Sequence, residues 1–256
     1  MREMRMPGIG CQRRSRFCDV PADVLPPDGD HSATDKKKWT RWRRMNYAFV
    51  ADTLSRSSND GLAIDVGAGE RQFRDLLTRY HQCLSVDFYP YDSVDVVCDL
   101  SRGLPLRSDI AGVVLMSNVF EHMKEPESTL RECFRLLRRG GSLVMTVPFM
   151  LKTHQAPHDF FRYTNHGLEY LLGKTGFSQV AITPIGDMFD VHDSLNVTTD
   201  RLLKRIRNPL SRLMARTLFG AACLSTRLLA KAGRGVMADT PYALALPMGF
   251  GCTATK

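Results

Sequence analysis

LAIDVGAGE, residues 62–70, is a short apolar run that stops at glycine. Directly after it Phe73, Leu76, Leu77 and Tyr80 recur at helical spacing, so the segment reads as strand, turn, helix. The same alternation continues outward. CLSVD (83–87), VDVVC (94–98) and AGVVLMS (111–117) read as the second, third and fourth strands. Glu127 to Arg139 carries Leu130, Cys133, Phe134 and Leu137 on one helical face; Gly140-Gly141 then ends the helix, and SLVMTV (142–147) is a fifth strand. Helices crossing between short apolar strands imply an α/β fold with a doubly wound, mostly parallel sheet.

Downstream of Pro148 runs the histidine- and aromatic-rich loop MLKTHQAPHDFFRYT (150–164). A helix at about 165–175, a strand at 178–183 and a last strand within 244–254 follow. Between those last strands lies a basic helical insertion, 195–235, where Asn208-Pro209 is a good helix start and Leu210, Leu213, Met214, Leu218, Leu224 and Leu228 keep helical spacing. Upstream, Trp39, Trp42, Met45, Ala48, Phe49 and Leu54 predict an amphipathic helix over about 36–56. Residues 1–34, with PADVLPPDGD at 21–30, read as a loosely ordered arm.

With 256 residues, 43% of them hydrophobic and 24% charged, the chain can bury one large core, which excludes the disordered and fibrous classes. The net charge of +8 is uneven: residues 45–194 carry 14 basic and 19 acidic groups, whereas 195–235 carry 9 and 1. That late segment holds one aromatic, Phe219, so stacking platforms are missing and no nucleic-acid partner is expected. Leu and Met among Arg and Lys permit contact with a membrane surface. Arg216 and Arg227 leave ten residues between them, too few to span a bilayer. Seven cysteines form no CxxC pair and no Cys/His cluster at zinc spacing. Free thiols, no metal and a cytoplasmic location are therefore expected.

Gly67 and Gly69 stand between strand and helix, where positive φ and close backbone approach suit a nucleotide-like ligand at the next helix start. Gln72 occupies the place of the third glycine in a dinucleotide fingerprint, which makes NAD the lesser candidate. Asp87 ends the second strand 22 residues after Asp65, the position from which a carboxylate accepts hydrogen bonds from ribose hydroxyls. After the third strand, Asp99-Leu100 offers an acceptor, a backbone donor and an apolar contact for adenine.

AIDVGAGE, SVDFYP, CDL and the run from Leu104 to Pro148 together resemble the S-adenosylmethionine-dependent methyltransferases with a Rossmann-like fold, over about residues 60–184. The resemblance implies a seven-stranded sheet whose last strand is antiparallel and inserted beside the fifth, and a methyltransferase domain over 35–256. It implies that Asp65, Gly67 and Gly69 contact the methionine end of the cofactor, Asp87 the ribose, and Asp99 with Leu100 the adenine, with Asn118 lining the site. Glu121-His122 resembles the family's acidic-His pair. Residues 154–177 are similar to members found with cell-surface saccharide biosynthesis.

Methyl transfer from a sulfonium requires alignment, and a hydroxyl acceptor also requires a base near neutral pH. His158 is the first candidate, His122 the second and His154 the third, with Asp159, Arg162 and Tyr163 as acceptor contacts. The alternative is that His158 and Asp159 bond loop backbone and Arg162 pairs with an acid, holding the loop in shape. The expected function is O-methylation of a small molecule or saccharide. A quinone or other lipid-like acceptor, and a non-catalytic scaffold, stand as alternatives.

Overall fold

The computed structural model describes residues 36–57, 61–80, 82–237 and 246–256. The arm expected at 1–34 lies outside them. Seven strands form one sheet in the order β3-β2-β1-β4-β5-β7-β6: β1 (Leu62–Val66), β2 (Gln82–Asp87), β3 (Val96–Val97), β4 (Ala111–Ser117), β5 (Leu137–Pro148), β6 (Ser178–Ile185) and β7 (Gly249–Thr255). β1 to β5 pair in parallel, and β7 lies antiparallel between β5 and β6. This is the arrangement the resemblance implied.

The five residues of β1 are all buried because both sheet faces are covered. On one face, Val50 and Leu54 of α1 (Arg41–Arg56) and Leu76 and Leu77 of α2 (Arg74–Leu77) pack on Ala63, Val113, Leu115 and Val144. On the other, Leu130, Cys133 and Leu136 of α3 (Pro126–Leu136) and Leu168 and Leu172 of α4 (Asn165–Lys174) pack on Ile64, Val114, Met116 and Met145. Thr40 caps α1 by accepting from the Arg43 N–H, so the helix begins after Trp39, which is buried before it.

Two boundaries differ from the sequence reading. Leu137 is not the last apolar residue of α3 but the first of β5, opposite Ala111; the register then shifts so that Val113 faces Ser142, with Gly140 at φ +74° in the intervening irregularity. The basic insertion starts earlier, with α5 (Met188–Leu203) behind an Asp187 capping box, and continues in α6 (Pro209–Met237). α6 packs through Ala215, Phe219, Cys223, Thr226 and Ala230, while Leu210, Leu213, Met214, Leu218, Leu224 and Leu228 are each at least 60% exposed on the opposite side. By length and composition, Pro209–Gly233 is long and apolar enough to cross a membrane, the one such helix among the described residues. This differs from the sequence reading, because the apolar character continues past Arg216 and Arg227.

Candidate active site

The carboxyl ends of the parallel strands open on a cavity of about 370 Å³. The glycines after β1 turn the chain beneath it: the N–H groups of Gly67 and Ala68 both donate to the Val86 carbonyl, at 2.8 and 3.1 Å. Gly67 has φ +68°, and a Cβ there would meet Val119 Cγ2 at 2.2 Å. Gly69 has φ +50° with open space around it. Glycine is thus needed at 67 for both conformation and room, and at 69 for conformation.

Asp87 ends β2 with its carboxylate held from the backbone: Gly69 N–H donates to Oδ2 and Tyr89 N–H to Oδ1, each at 2.8 Å. Burial raises its carboxyl above the usual range, and the N–H groups of Tyr89, Gly69 and Phe88 oppose that shift. Each oxygen keeps a lone pair beyond the one its N–H occupies, so the carboxylate can accept two further hydrogen bonds. Asp99 and Leu100, one strand further out, line the same cavity.

Asp65 is placed differently. It is 3% exposed and lies below the cavity rather than in its lining. Burial, then the charge of Asp87, push its carboxyl up to about 7. Asn118 follows β4 with φ +55° and does line the cavity. Its Oδ1 accepts from Trp42 Nε1 at 3.0 Å and from Asn46 Nδ2 at 3.2 Å, so α1 braces the site from across the sheet edge.

Across the switch in strand order, the loop after β5 brings Gln155, His158 and Phe160 to the cavity, beside His122 and Lys124 from the turn after β4. The Phe160 and Phe161 N–H groups donate to the Glu121 carbonyl, which clamps loop to turn. His158 is exposed and uses only its backbone here: its N–H donates to the Gln155 carbonyl, and its own carbonyl accepts from His122 Nδ1 at 2.5 Å. Its imidazole nitrogens have no hydrogen bond among the described residues.

Asp159, Arg162 and Tyr163 stand outside the cavity lining. Arg162 grips Asp159 with two bonds of 2.6 and 2.7 Å and also donates to the Lys152 and Phe161 carbonyls. Burial alone would raise Asp159, but Arg162 and the His154 N–H together hold it at about 2. Tyr163 is buried and stacks on Phe120 at 4.7 Å. These three residues shape the loop, as the alternative reading had it for Arg162. Sequence reasoning missed Tyr89, Tyr91 and Phe160 in the lining, and it missed the joining of His154 with the Glu121-His122 pair, treated below.

Residues 64–145 match the family model described as a methyltransferase domain. No curated protein sequence matches the chain. Among solved structures it is similar to a SAM dependent methyltransferase from Archaeoglobus fulgidus, with 15% identity and a TM-score of 0.53 over 84% of this chain and 94% of that one. It is also similar to phosphoethanolamine N-methyltransferase 2 of Haemonchus contortus in complex with S-adenosyl-L-methionine, with 14% identity and a TM-score of 0.51 over 83% of this chain. The chain spans about half the length of that enzyme, 52%. At these identities the likeness is one of fold. Residues 64–145 thus match a methyltransferase domain, and the chain carries it on a fold similar to that of S-adenosylmethionine-dependent methyltransferases.

Proposed function

We propose that the chain transfers the S-adenosylmethionine methyl group to a hydroxyl of a small molecule or saccharide, at a cavity whose two sides divide the work. The observation that carries this is the cavity lining itself. Gly67, Gly69, Asp87, Asp99 and Leu100 lie on the side of β1 to β3, and His122 and His158 on the side of β4 and β5. In this reading Asp87 takes the ribose diol, Asp99 and Leu100 the adenine, and the two glycines give the methionine end close access to backbone.

His158 is the residue best placed as base. It lines the cavity while its backbone is anchored, and its imidazole would accept the acceptor's proton as the C–O bond forms. Alignment of hydroxyl, methyl and sulfur supplies the rest of the rate advantage. Calorimetric titration with S-adenosylmethionine and S-adenosylhomocysteine, with NAD as control, tests the cofactor. Micromolar binding of the first two and none of NAD is expected. Absence of binding to a folded sample would leave the scaffold reading. His158→Ala should then lower turnover roughly 100-fold with cofactor affinity retained; full turnover would reduce His158 to a loop support.

One further observation favours an acceptor carried on a lipid. α6 turns its apolar stripe outward, and the same helix carries the exposed cations Arg216, Arg227 and Lys231. A helix of 29 residues, about 43 Å long, laid flat would bury that stripe at the acyl boundary and place its cations among anionic headgroups. The reading therefore sets the protein in the cytoplasm, at an anionic membrane surface. Cys133 and Cys252, buried and outside any disulfide, are in keeping with a reducing compartment.

A further inference from the structure

Glu121, His122 and His154 come together from two segments that the sequence separates by more than thirty residues. Glu121 has no exposed surface, and both its carboxylate oxygens lack a hydrogen-bond partner; so does the buried Nε2 of His122. His154 Nε2 is 3.5 Å and His122 Nε2 3.7 Å from Glu121 Oε1. The ligand atoms of all three residues lie within 4.8 Å of one another.

The outer nitrogen of each imidazole is already committed. His122 Nδ1 faces the His158 carbonyl at 2.5 Å, and His154 Nδ1 faces Asp159 Oδ2 at 3.3 Å. A carbonyl and a carboxylate can only accept, so Nδ1 is the nitrogen that carries the proton in the neutral form of each ring, and in that form its Nε2 lone pair faces Glu121. Two lone pairs and a buried carboxylate thus face one another. One added proton would join His154 to Glu121 and still leave His122 Nε2 without a partner. A single cation satisfies all three groups at once.

We propose that Glu121, His122 and His154 form a binding site for a divalent transition metal of the zinc class. Two imidazoles and one carboxylate are a donor set that suits zinc and leaves a fourth position open. Two nitrogen donors count against magnesium and calcium, which take oxygen ligands. Zinc–ligand distances of about 2.0–2.2 Å set tetrahedral ligand separations of about 3.3–3.6 Å; the 3.5 and 3.7 Å from Glu121 Oε1 to the two imidazoles lie at or just beyond the upper end of that range, and all three ligand atoms fall within 4.8 Å. Both Nδ1 groups have the acceptors that metal-bound histidines use to fix tautomer and ring orientation. The Asp159–Arg162 pair, which locks the loop, then orients one ligand at second hand.

His122 also lines the cavity. On the methyl-transfer reading, the open position of the metal is available to an acceptor oxygen. Metal binding itself does not depend on that reading.

The test uses the full chain, stripped with a chelator and titrated with Zn²⁺ against a chromophoric competitor. One equivalent should bind at submicromolar affinity, and Co²⁺ in its place should give the visible bands of a tetrahedral site. Partly exposed His154 is the safer substitution: His154→Ala should weaken zinc binding at least 100-fold. Glu121→Gln should do the same if it folds. His166→Ala, at a histidine 85% exposed on α4, should change nothing. A wild-type sample that binds S-adenosylhomocysteine but takes up no zinc overturns the metal site and leaves the methyltransferase reading standing. Equal zinc affinity in folded His154→Ala overturns it as well.

Discussion

Asp87→Ala is the substitution that most directly tests how the cofactor is held. Each carboxylate oxygen of Asp87 already accepts one backbone N–H at 2.8 Å. On the proposed reading, a ribose diol adds its two hydroxyls to the remaining lone pairs of this cavity-lining carboxylate. Hydrogen bonds to a charged acceptor contribute about 1.5–3 kcal/mol to binding, which is about 10- to 150-fold in Kd. The fold itself should lose less. The freed N–H groups of Gly69 and Tyr89 open on a cavity that water can enter, and removing Asp87 also removes the second cause of the raised Asp65 carboxyl. Calorimetry of S-adenosylhomocysteine binding reads the first effect and thermal unfolding of the free protein the second. A weakened Kd with a cooperative, nearly unshifted melt is expected. An unchanged Kd in a folded Asp87→Ala protein would refute the seating of ribose at the end of β2.

Three further outcomes follow from the same geometry. Asp65, pushed up to about 7 by burial and then by Asp87, keeps its proton in the fold at pH values where the unfolded chain, near 4, has lost it. The stabilisation is whole below about pH 4 and is lost as pH rises to about 7, at most about 4 kcal/mol. Asp65→Asn should therefore raise the melting midpoint at pH 8 and leave it nearly unchanged at pH 4; equal shifts at both would show that Asp65 is ionised in the fold throughout. Gly67→Ala should cost more than Gly69→Ala, because both force positive φ at about 1–2 kcal/mol but only position 67 adds the clash with Val119. Chemical denaturation of the pair gives the order, and the reverse order would contradict the turn. Replacing Leu218, Leu224 and Leu228 with serine should abolish sedimentation with anionic vesicles and leave cofactor affinity unchanged. Vesicle binding by that variant would remove α6 from the membrane reading, and binding that resists alkaline carbonate would mean that the helix crosses rather than lies flat.

The sequence shows most clearly what repeats along the chain. The β1 turn, the acid at the end of β2 and the Asp99-Leu100 pair after β3 could all be read because a parallel, doubly wound sheet puts every strand's carboxyl end on one edge. A residue's place along its strand then fixes its place in the site. Local spacing failed where a neighbour decided the outcome. Leu137 continues the helical series of Leu130, Cys133 and Phe134, yet pairing with Ala111 on β4 draws it into β5. Tertiary contact overrode a periodic signal that is weakest at its end. The site's second side was hidden for a related reason. Asn118 meets Trp42 of α1 from 76 residues away, and Glu121 meets His154 from 33, the latter through a turn and a loop that the adjacency of β4 and β5 brings together. No spacing rule for metal ligands covers such a pair of segments, since the interval is set by a helix and a strand between them. Asp159 and Arg162 illustrate the converse. Charged residues in a loop over the strand ends look like acceptor contacts, but a two-bonded ion pair satisfies them internally, and the loop they stiffen is what holds His154 and His158 in place.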